Sequence, residues 1–138
     1  MRYDDRHGAV RADLQGDAAD GASGEHDQIA SDVENLVGGR GNDRLTGNSH
    51  NNQLDGGAGK DRLQGRSGTD EIDGGPGNDK IVGGPGRDVL SGADGRDRID
   101  ARDGRRDDVR CGFYLRRGDV AIVDRLDHVF RCAVVRRP

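Results

Sequence analysis

The stretch GGPGNDKIVGGPGRDVLS, residues 74–91, contains the same nine-residue pattern twice. Each copy has glycine at its first, second and fourth positions, aspartate at the sixth and an aliphatic residue at the eighth. The related units GGAGKDRLQ and GRSGTDEID precede it without a gap, at residues 56–64 and 65–73. Repetition at a fixed short period is typical of solenoids, in which each unit stacks on its neighbours. The nine-residue period therefore predicts a repeat architecture.

The array consists of seven consecutive units, from residue 38 to residue 100. Its eighth position is always aliphatic: Leu45, Leu54, Leu63, Ile72, Ile81, Leu90 and Ile99. Its sixth position is aspartate in six of the seven units: Asp43, Asp61, Asp70, Asp79, Asp88 and Asp97. Of the 24 glycines in the chain, 17 lie inside the array.

Each column of the repeat has a physical role. Positions seven to nine alternate as a short strand would, with the aliphatic residue pointing inward, as in Arg44, Leu45 and Thr46. The glycines before the strand can adopt positive φ, so that the chain reverses sharply there. The aspartate at the end of each turn supplies an anionic oxygen, and carboxylates together with backbone carbonyls are the ligands that calcium prefers. The six aspartates are therefore candidate calcium ligands.

The units fit the pattern GGxGxDxUx, where U is aliphatic, and residues 38–100 resemble the haemolysin-type calcium-binding (RTX) repeat family. The resemblance implies an all-β fold, a right-handed parallel β-roll in which two nonapeptides form one turn. It also implies several Ca²⁺ ions between turns, held by loop carbonyls and by aspartates of repeats two apart. The implied pairs are Asp43 with Asp61, Asp61 with Asp79, Asp79 with Asp97, Asn52 with Asp70, and Asp70 with Asp88.

The array departs from the pattern in three respects. The second unit has Asn52 in place of aspartate and His50 in place of glycine, so we expect its calcium site to be weak or absent. Three units lack glycine at the second position: Asn48, Arg66 and Ala93. A residue with a side chain there is either strained or adopts another turn. After Asp100 the register slips, and Asp107 is left out of the predicted ligands.

The composition indicates that the fold depends on the metal. Only 30% of the residues are hydrophobic and 3% aromatic, whereas a globular domain is nearer half apolar. Burial of so few aliphatic side chains contributes too little free energy to offset the conformational entropy that the chain loses on folding. We therefore predict an array that is largely disordered without calcium and forms a β-roll with it. The alternative is a metal-free glycine-rich solenoid whose aspartates only cap turns.

Residues 1–37 are expected to form an N-terminal lead-in and cap. The stretch AVRADLQG, residues 9–16, alternates in polarity and predicts a strand, and Leu36 lies nine residues before Leu45, which predicts a first capping strand of the roll. The acidic residues of this segment fit no EF-hand loop and are interpreted as solvated turns: Asp13, Asp17, Asp20, Glu25 and Asp27.

Residues 101–138 are expected to form a C-terminal cap that contains a degenerate repeat. The segment is denser in apolar residues and predicts strands at about 119–124 and 127–135, which would cover the open end of the solenoid. Cys111 and Cys132 are the two cysteines of the chain. We favour a disulfide between them over two free thiols, because such bridges are common in small extracytoplasmic domains.

The charge distribution separates the two parts of the chain. Residues 1–100 hold 12 Lys and Arg against 20 Asp and Glu, which suits a cation as partner. Residues 101–138 hold 10 basic against 6 acidic residues. Because these charges are interleaved, we interpret them as a self-paired surface and not as a nucleic-acid-binding patch. No apolar run approaches the length of a membrane span.

The sequence contains no motif of a serine hydrolase or a zinc protease, so we predict that the chain is not an enzyme. The leading hypothesis is an extracellular calcium-binding module whose folding is coupled to the metal. The N-terminus does not read as a signal peptide, which leaves another export route, a fragment or a mis-set start. The alternatives are a calcium-dependent surface or adhesion protein, and the C-terminal fragment of a secreted enzyme or toxin.

Overall fold

The computed structural model describes residues 1–2, 7–15, 21–22, 33–112 and 118–136. These residues form sixteen strands and no helix. The strands are β1 (Val10–Asp13), β2 (Gly21–Ala22), β3 (Asn35–Gly39), β4 (Arg44–Thr46), β5 (Gln53–Gly57), β6 (Arg62–Gln64), β7 (Glu71–Asp73), β8 (Pro76–Gly77), β9 (Lys80–Val82), β10 (Val89–Ser91), β11 (Asp94–Gly95), β12 (Arg98–Ala101), β13 (Asp108–Arg110), β14 (Val120–Val123), β15 (His128–Phe130) and β16 (Val134–Arg136).

Two parallel sheets are built by strands that alternate along the chain. From β3 onward, apart from the two-residue strands β8 and β11, successive strands belong to opposite sheets. One sheet has the order β15-β13-β10-β7-β5-β3, and the other runs β16-β14-β12-β9-β6-β4-β1-β2. Leu45 pairs with Leu63, and Leu63 pairs with Ile81, so that one turn of the solenoid comprises two nonapeptides. The expected parallel β-roll is confirmed, with about five turns.

The core is a double column of the aliphatic residues at the eighth position. All seven have at most 1% of their surface exposed: Leu45, Leu54, Leu63, Ile72, Ile81, Leu90 and Ile99. In β6 and β7 the residues on either side of the aliphatic residue are exposed, as expected for the period of two in an extended chain, whereas in β4 Thr46 is also buried. Because each layer adds only two such side chains, the hydrophobic core is narrow.

Both predicted N-terminal strands are confirmed. Strand β1 pairs in parallel with β4, and Leu36 in β3 pairs with Leu54 and is fully buried. The prediction that Asp13 is a solvated acidic residue is wrong, because it is 8% exposed and its carboxylate lies 3.8 Å from the Arg66 guanidinium. The stacking of β1 on the roll brings this side chain against a later repeat. The other acidic residues of the lead-in, Asp17, Asp20, Glu25 and Asp27, lie outside the described residues.

The C-terminal strands extend the same two sheets. The predicted strand at 119–124 corresponds to β14, which pairs with β12. The prediction of one strand over 127–135 is wrong: β15 and β16 are separated at Arg131, whose φ is 54°, and they join different sheets. The chain must turn there because successive strands of the roll lie on opposite sides of the core.

The predicted disulfide is confirmed. Cys111 and Cys132 are bonded, with their Cα atoms 4.9 Å apart, and the bridge ties the end of β13 to the segment between β15 and β16. Among the described residues, no helix has the length and hydropathy that crossing a membrane requires.

Candidate functional site

The aspartates at the sixth position of the repeat are buried at the ends of the glycine turns. Their exposed fractions are only 1–3%: Asp43, Asp61, Asp70, Asp79, Asp88 and Asp97. Aspartate is rarely buried to this extent unless its charge is compensated. Each directly precedes a strand whose second residue belongs to the core, so the strand register carries the carboxylate into the stack of turns.

The Oδ1 atoms form two hydrogen-bonded columns, which we call the first and second ladders. In the first ladder, the amide of Asp43 donates to Oδ1 of Asp61, that of Asp61 to Asp79 and that of Asp79 to Asp97, at 2.6, 2.8 and 2.9 Å. In the second ladder, the amide of Asn52 donates to Asp70 and that of Asp70 to Asp88, at 2.8 and 2.9 Å. The structure therefore brings together all the pairs that the family resemblance implied.

The other carboxylate oxygen is left without a partner along most of both ladders. The Oδ2 atoms that are buried and accept no hydrogen bond belong to Asp61, Asp70, Asp79, Asp88, Asp97 and Asp107. Leaving such an atom unsatisfied typically costs about 1–3 kcal/mol, and more when it is charged. Asp43 differs, because its Oδ2 accepts a hydrogen bond of 2.7 Å from the Gly39 amide. This regular row of buried oxygens without hydrogen-bond partners is the place in the roll that suits a cation.

In five of the seven units, the glycine at the first position lies against this unsatisfied oxygen: Gly56, Gly65, Gly74, Gly83 and Gly92. A Cβ atom at Gly56 would lie 2.7 Å from Oδ2 of Asp61 and 2.6 Å from the carbonyl oxygen of Gly74, one turn further along. The corresponding atom at Gly65 would meet Oδ2 of Asp70 and lie 2.8 Å from the carbonyl oxygen of Gly83. A Cβ atom there would overlap both oxygens, so the absence of a side chain lets a carboxylate of the unit and a carbonyl oxygen of the adjacent layer lie close to the same glycine. We call each such place a glycine cradle.

The donor set fits calcium. Hard oxygens from carboxylates and backbone carbonyls suit Ca²⁺, which takes six to eight of them. Among the described residues, no group of three or more His, Cys, Asp or Glu side chains is arranged to hold a metal ion. An ion between two layers must therefore draw on backbone carbonyls in addition to the paired aspartates.

Burial raises the pKa of the ladder carboxyls well above the ordinary value. The pKa rises to about 7 at Asp61, Asp88 and Asp97, and to about 6 at Asp70 and Asp79. Desolvation is the main cause. The hydrogen bond from the preceding layer opposes it, and repulsion between carboxylates adds to it at Asp61, Asp79, Asp88 and Asp97. The roll without metal thus disfavours the charge of these groups.

The second unit lacks such an oxygen, as its sequence predicted. Oδ1 of Asn52 accepts a hydrogen bond of 2.8 Å from the Asn48 amide, and Nδ2 of Asn52 donates to Oδ1 of Asn48 at 3.2 Å. Its side chain therefore presents an amide where the other units present a carboxylate. That its calcium site is weak or absent stays a prediction.

Three residues of the ladders were not predicted from the sequence. Asp107 is fully buried, and its Oδ1 accepts from the Asp88 amide at 2.8 Å. Asp119 accepts from the Asp97 amide at 3.1 Å, and Asp127 from the Asp107 amide at 3.0 Å. Asp107 thus continues the second ladder, although it was left out of the predicted calcium ligands. The sequence did contain a signal for these aspartates, since each stands two residues before an aliphatic or alanine residue that pairs in the sheets. The loops between these layers, however, differ in length.

A comparison with protein-family models matches the RTX calcium-binding nonapeptide repeat in four copies, over residues 30–63, 46–81, 55–90 and 73–105. Together these copies span more than half of the chain. A comparison with curated proteins finds no significant match.

Proposed function

The chain belongs to the RTX calcium-binding nonapeptide repeat family, and from this we propose that it is a non-catalytic, extracellular module whose β-roll is folded and stabilised by calcium bound between its repeats. The observation on which the proposal rests is the row of buried Oδ2 atoms without partners, five of which lie beside the first-position glycine of their own unit: those of Asp61, Asp70, Asp79, Asp88 and Asp97.

The ladder aspartates and the cradle carbonyls would hold the ions. The aspartates concerned are Asp43, Asp61, Asp70, Asp79, Asp88 and Asp97, paired along the two ladders as described. Calcium supplies the positive charge that these oxygens lack when they are buried together. We expect the layer at Asp43 to bind more weakly than its neighbours, because the Gly39 amide already satisfies its Oδ2.

Coupling between binding and folding follows from the construction of the roll. The oxygens of one cradle come from residues 13 apart in the chain, as with Asp61 and Gly74, and converge only when two layers stack. The unfolded chain therefore holds no preformed site, and a ligand that binds only the folded state stabilises it. Because the hydrophobic core is narrow, we expect metal binding to supply a large share of the free energy that stabilises the folded roll.

Two features support an extracellular location. The Cys111–Cys132 disulfide suits an oxidising compartment, since intracellular thiols are usually kept reduced. RTX repeats are also typical of secreted proteins. The alternatives, a calcium-dependent surface protein and the C-terminal fragment of a secreted enzyme or toxin, would both contain this same calcium-binding module.

Circular dichroism in chelator and then in calcium tests the proposal. We expect a largely disordered spectrum in chelator and a β spectrum after calcium is added, with magnesium at the same concentration having little effect. Titration calorimetry on the same sample should show saturable binding of several ions. A full β spectrum in chelator, together with no heat of calcium binding, would refute the proposal and favour the metal-free solenoid.

A further inference from the structure

We propose that the disulfide-bonded C-terminal segment builds one more calcium site, beyond the repeats, from Asp97, Asp119 and the backbone carbonyl of Cys111. This inference rests on the proposed calcium function and adds residues that lie outside the matched repeats, which end at residue 105. The site differs from the others because two of its three contributors do not belong to a nonapeptide.

The cradle at Gly92 closely resembles the one at Gly56. A Cβ atom at Gly92 would lie 2.6 Å from Oδ2 of Asp97 and 2.8 Å from the carbonyl oxygen of Cys111. At Gly56 the corresponding distances, to Asp61 and Gly74, are 2.7 and 2.6 Å. Oδ2 of Asp97 is buried and accepts no hydrogen bond, so an unsatisfied oxygen faces the Cys111 carbonyl.

Backbone hydrogen bonds show that Cys111 occupies the place of a first-position glycine. The Gly74 amide donates to the Ser91 carbonyl, and the Gly92 amide donates to the Arg110 carbonyl, both at 2.9 Å. The Cys111 amide continues the series by donating to the Phe130 carbonyl at 3.1 Å. Cys111 thus follows Gly74 and Gly92 in the stack, although the sequence at this point no longer has the repeat pattern.

Asp119 occupies the corresponding place in the first ladder. Its Oδ1 accepts a hydrogen bond of 3.1 Å from the Asp97 amide, and its exposed fraction is 2%. Ala121, two residues later, pairs with Ile99, which is two residues after Asp97. The two aspartates are therefore in strand register, although they are 22 residues apart where the repeats have 18.

The disulfide holds the carbonyl in this position. Cys111 is fully buried and bonded to Cys132, so the residue that presents the oxygen is tied to the last layer of the roll. A side chain at the first position of a unit would fill a cradle, as the contacts of Gly56 and Gly92 show. Cys111 stands at this first position and has a side chain, so it leaves no cradle of its own. The cradles of the first ladder therefore end with the one at Gly92, beside Asp97 and the Cys111 carbonyl.

Counting bound ions by native mass spectrometry tests the site, with Asp119→Asn as the main variant. Asparagine keeps an oxygen for the Asp97 amide and removes the charge, so we expect one calcium ion fewer than in the wild type. Glu71→Gln is the control, because Glu71 is exposed on β7, in the opposite sheet from the strand that follows Asp97, and the substitution removes one negative charge away from the site. The wild-type number of ions in Asp119→Asn, bound with wild-type affinity, would overturn the proposal.

Gly92→Ala provides an independent test in case Asp119→Asn does not fold in saturating calcium. The added methyl group would overlap Oδ2 of Asp97 and the carbonyl oxygen of Cys111 and displace them, and we again expect the loss of one ion. Gly8→Ala is its control, since a Cβ there would meet nothing within 4 Å. If the wild type binds no calcium, the proposed function itself fails. If the wild type binds calcium and neither variant loses an ion, only the C-terminal site is refuted.

Discussion

The amide of Asp61 donates a hydrogen bond of 2.8 Å to Oδ1 of Asp79, a residue exactly one turn of the roll away, while Oδ2 of Asp79 is buried without a partner. The two oxygens of the Asp79 carboxylate thus have different environments. Its first oxygen ties adjacent layers together, and its second oxygen is available to a cation. This division leads to opposite expectations for the protein with and without calcium.

Asp79→Asn should weaken calcium binding and stabilise the metal-free roll at neutral pH. Asparagine keeps an oxygen for the Asp61 amide but removes the buried charge. Loss of one charged ligand contact, worth about 1.5–3 kcal/mol, corresponds to roughly 10–100-fold weaker affinity for the ions that Asp79 contacts. Titration calorimetry measures the first effect, and circular dichroism in chelator measures the second.

Glu71→Gln is the control for that variant, because Glu71 lies on the exposed side of β7. It removes the same formal charge and should change neither quantity appreciably. Equal effects of the two substitutions would show that net charge, and not the ladder, governs calcium affinity.

In chelator, acidification should promote folding of the roll. The pKa of Asp61, Asp88 and Asp97 is raised to about 7, so these groups bind protons more tightly in the folded chain than in the unfolded chain. Their contribution to stability is present below the unfolded value near 3.8 and is lost as the pH rises through about 7. The β signal in circular dichroism should therefore increase between pH 7.5 and pH 5; a signal that is constant or falls would contradict this assignment.

In calcium the pH dependence should be the reverse. Calcium binds the ionised carboxylates, so protons compete with it at Asp61, Asp88 and Asp97. Because acid populates a metal-free roll whose carboxyls are protonated, we expect the apparent calcium affinity to fall as the pH decreases from 7.5 to 5.5, a range in which Asp70 and Asp79 of the roll also take up protons. Calorimetric titrations at pH 7.5, 6.5 and 5.5 measure this, and an affinity that does not change would contradict it.

Removing the Cys111–Cys132 bridge should lower the free energy of unfolding by about 3 kcal/mol, as expected for a closed loop of about 20 residues. The double variant with serine at both positions avoids unpaired thiols. Calcium-saturated thermal unfolding, with the oxidised wild type as reference, measures the loss. An unchanged melting temperature would show that the bridge does not stabilise the folded roll relative to the unfolded chain.

Ala93→Gly should stabilise the roll modestly, by up to about 1 kcal/mol, because a residue with a side chain pays a steric penalty at positive φ. Ala93 has φ 61°, at the second position of its unit, where most repeats have glycine. Denaturant unfolding in saturating calcium measures the change.

Asn48→Gly is the contrasting variant at the same repeat position. Asn48 is not among the described residues with positive φ, and its Oδ1 accepts a hydrogen bond of 2.8 Å from the His50 amide. Glycine removes that bond and relieves no strain, so this variant should be destabilised. Stabilisation of both variants would show that backbone strain at Ala93 is not the cause.

Much of the roll was predictable from local pattern alone. The nine-residue period placed the eighth-position aliphatics in the core and the sixth-position aspartates at the layer edges, since a turn of fixed length followed by a short strand repeats its geometry. The family resemblance supplied the pairing of units two apart. At the second position, both expected outcomes occur: Arg66 and Ala93 adopt positive φ, whereas Asn48 does not.

The amino-acid sequence by itself therefore determined the layered all-β architecture, the core column, the calcium-type donor set of the repeats and the pairing of the two cysteines. Only the tertiary structure decided that Asp107, Asp119 and Asp127 continue the ladders, at separations of 19, 22 and 20 residues, and that Asp13 lies against Arg66. The physical reason is that strand pairing aligns one layer with the next whatever the length of the loop between them. A constant period in the sequence therefore reveals the layers of equal length, whereas layers of unequal length become visible only when their strands are paired.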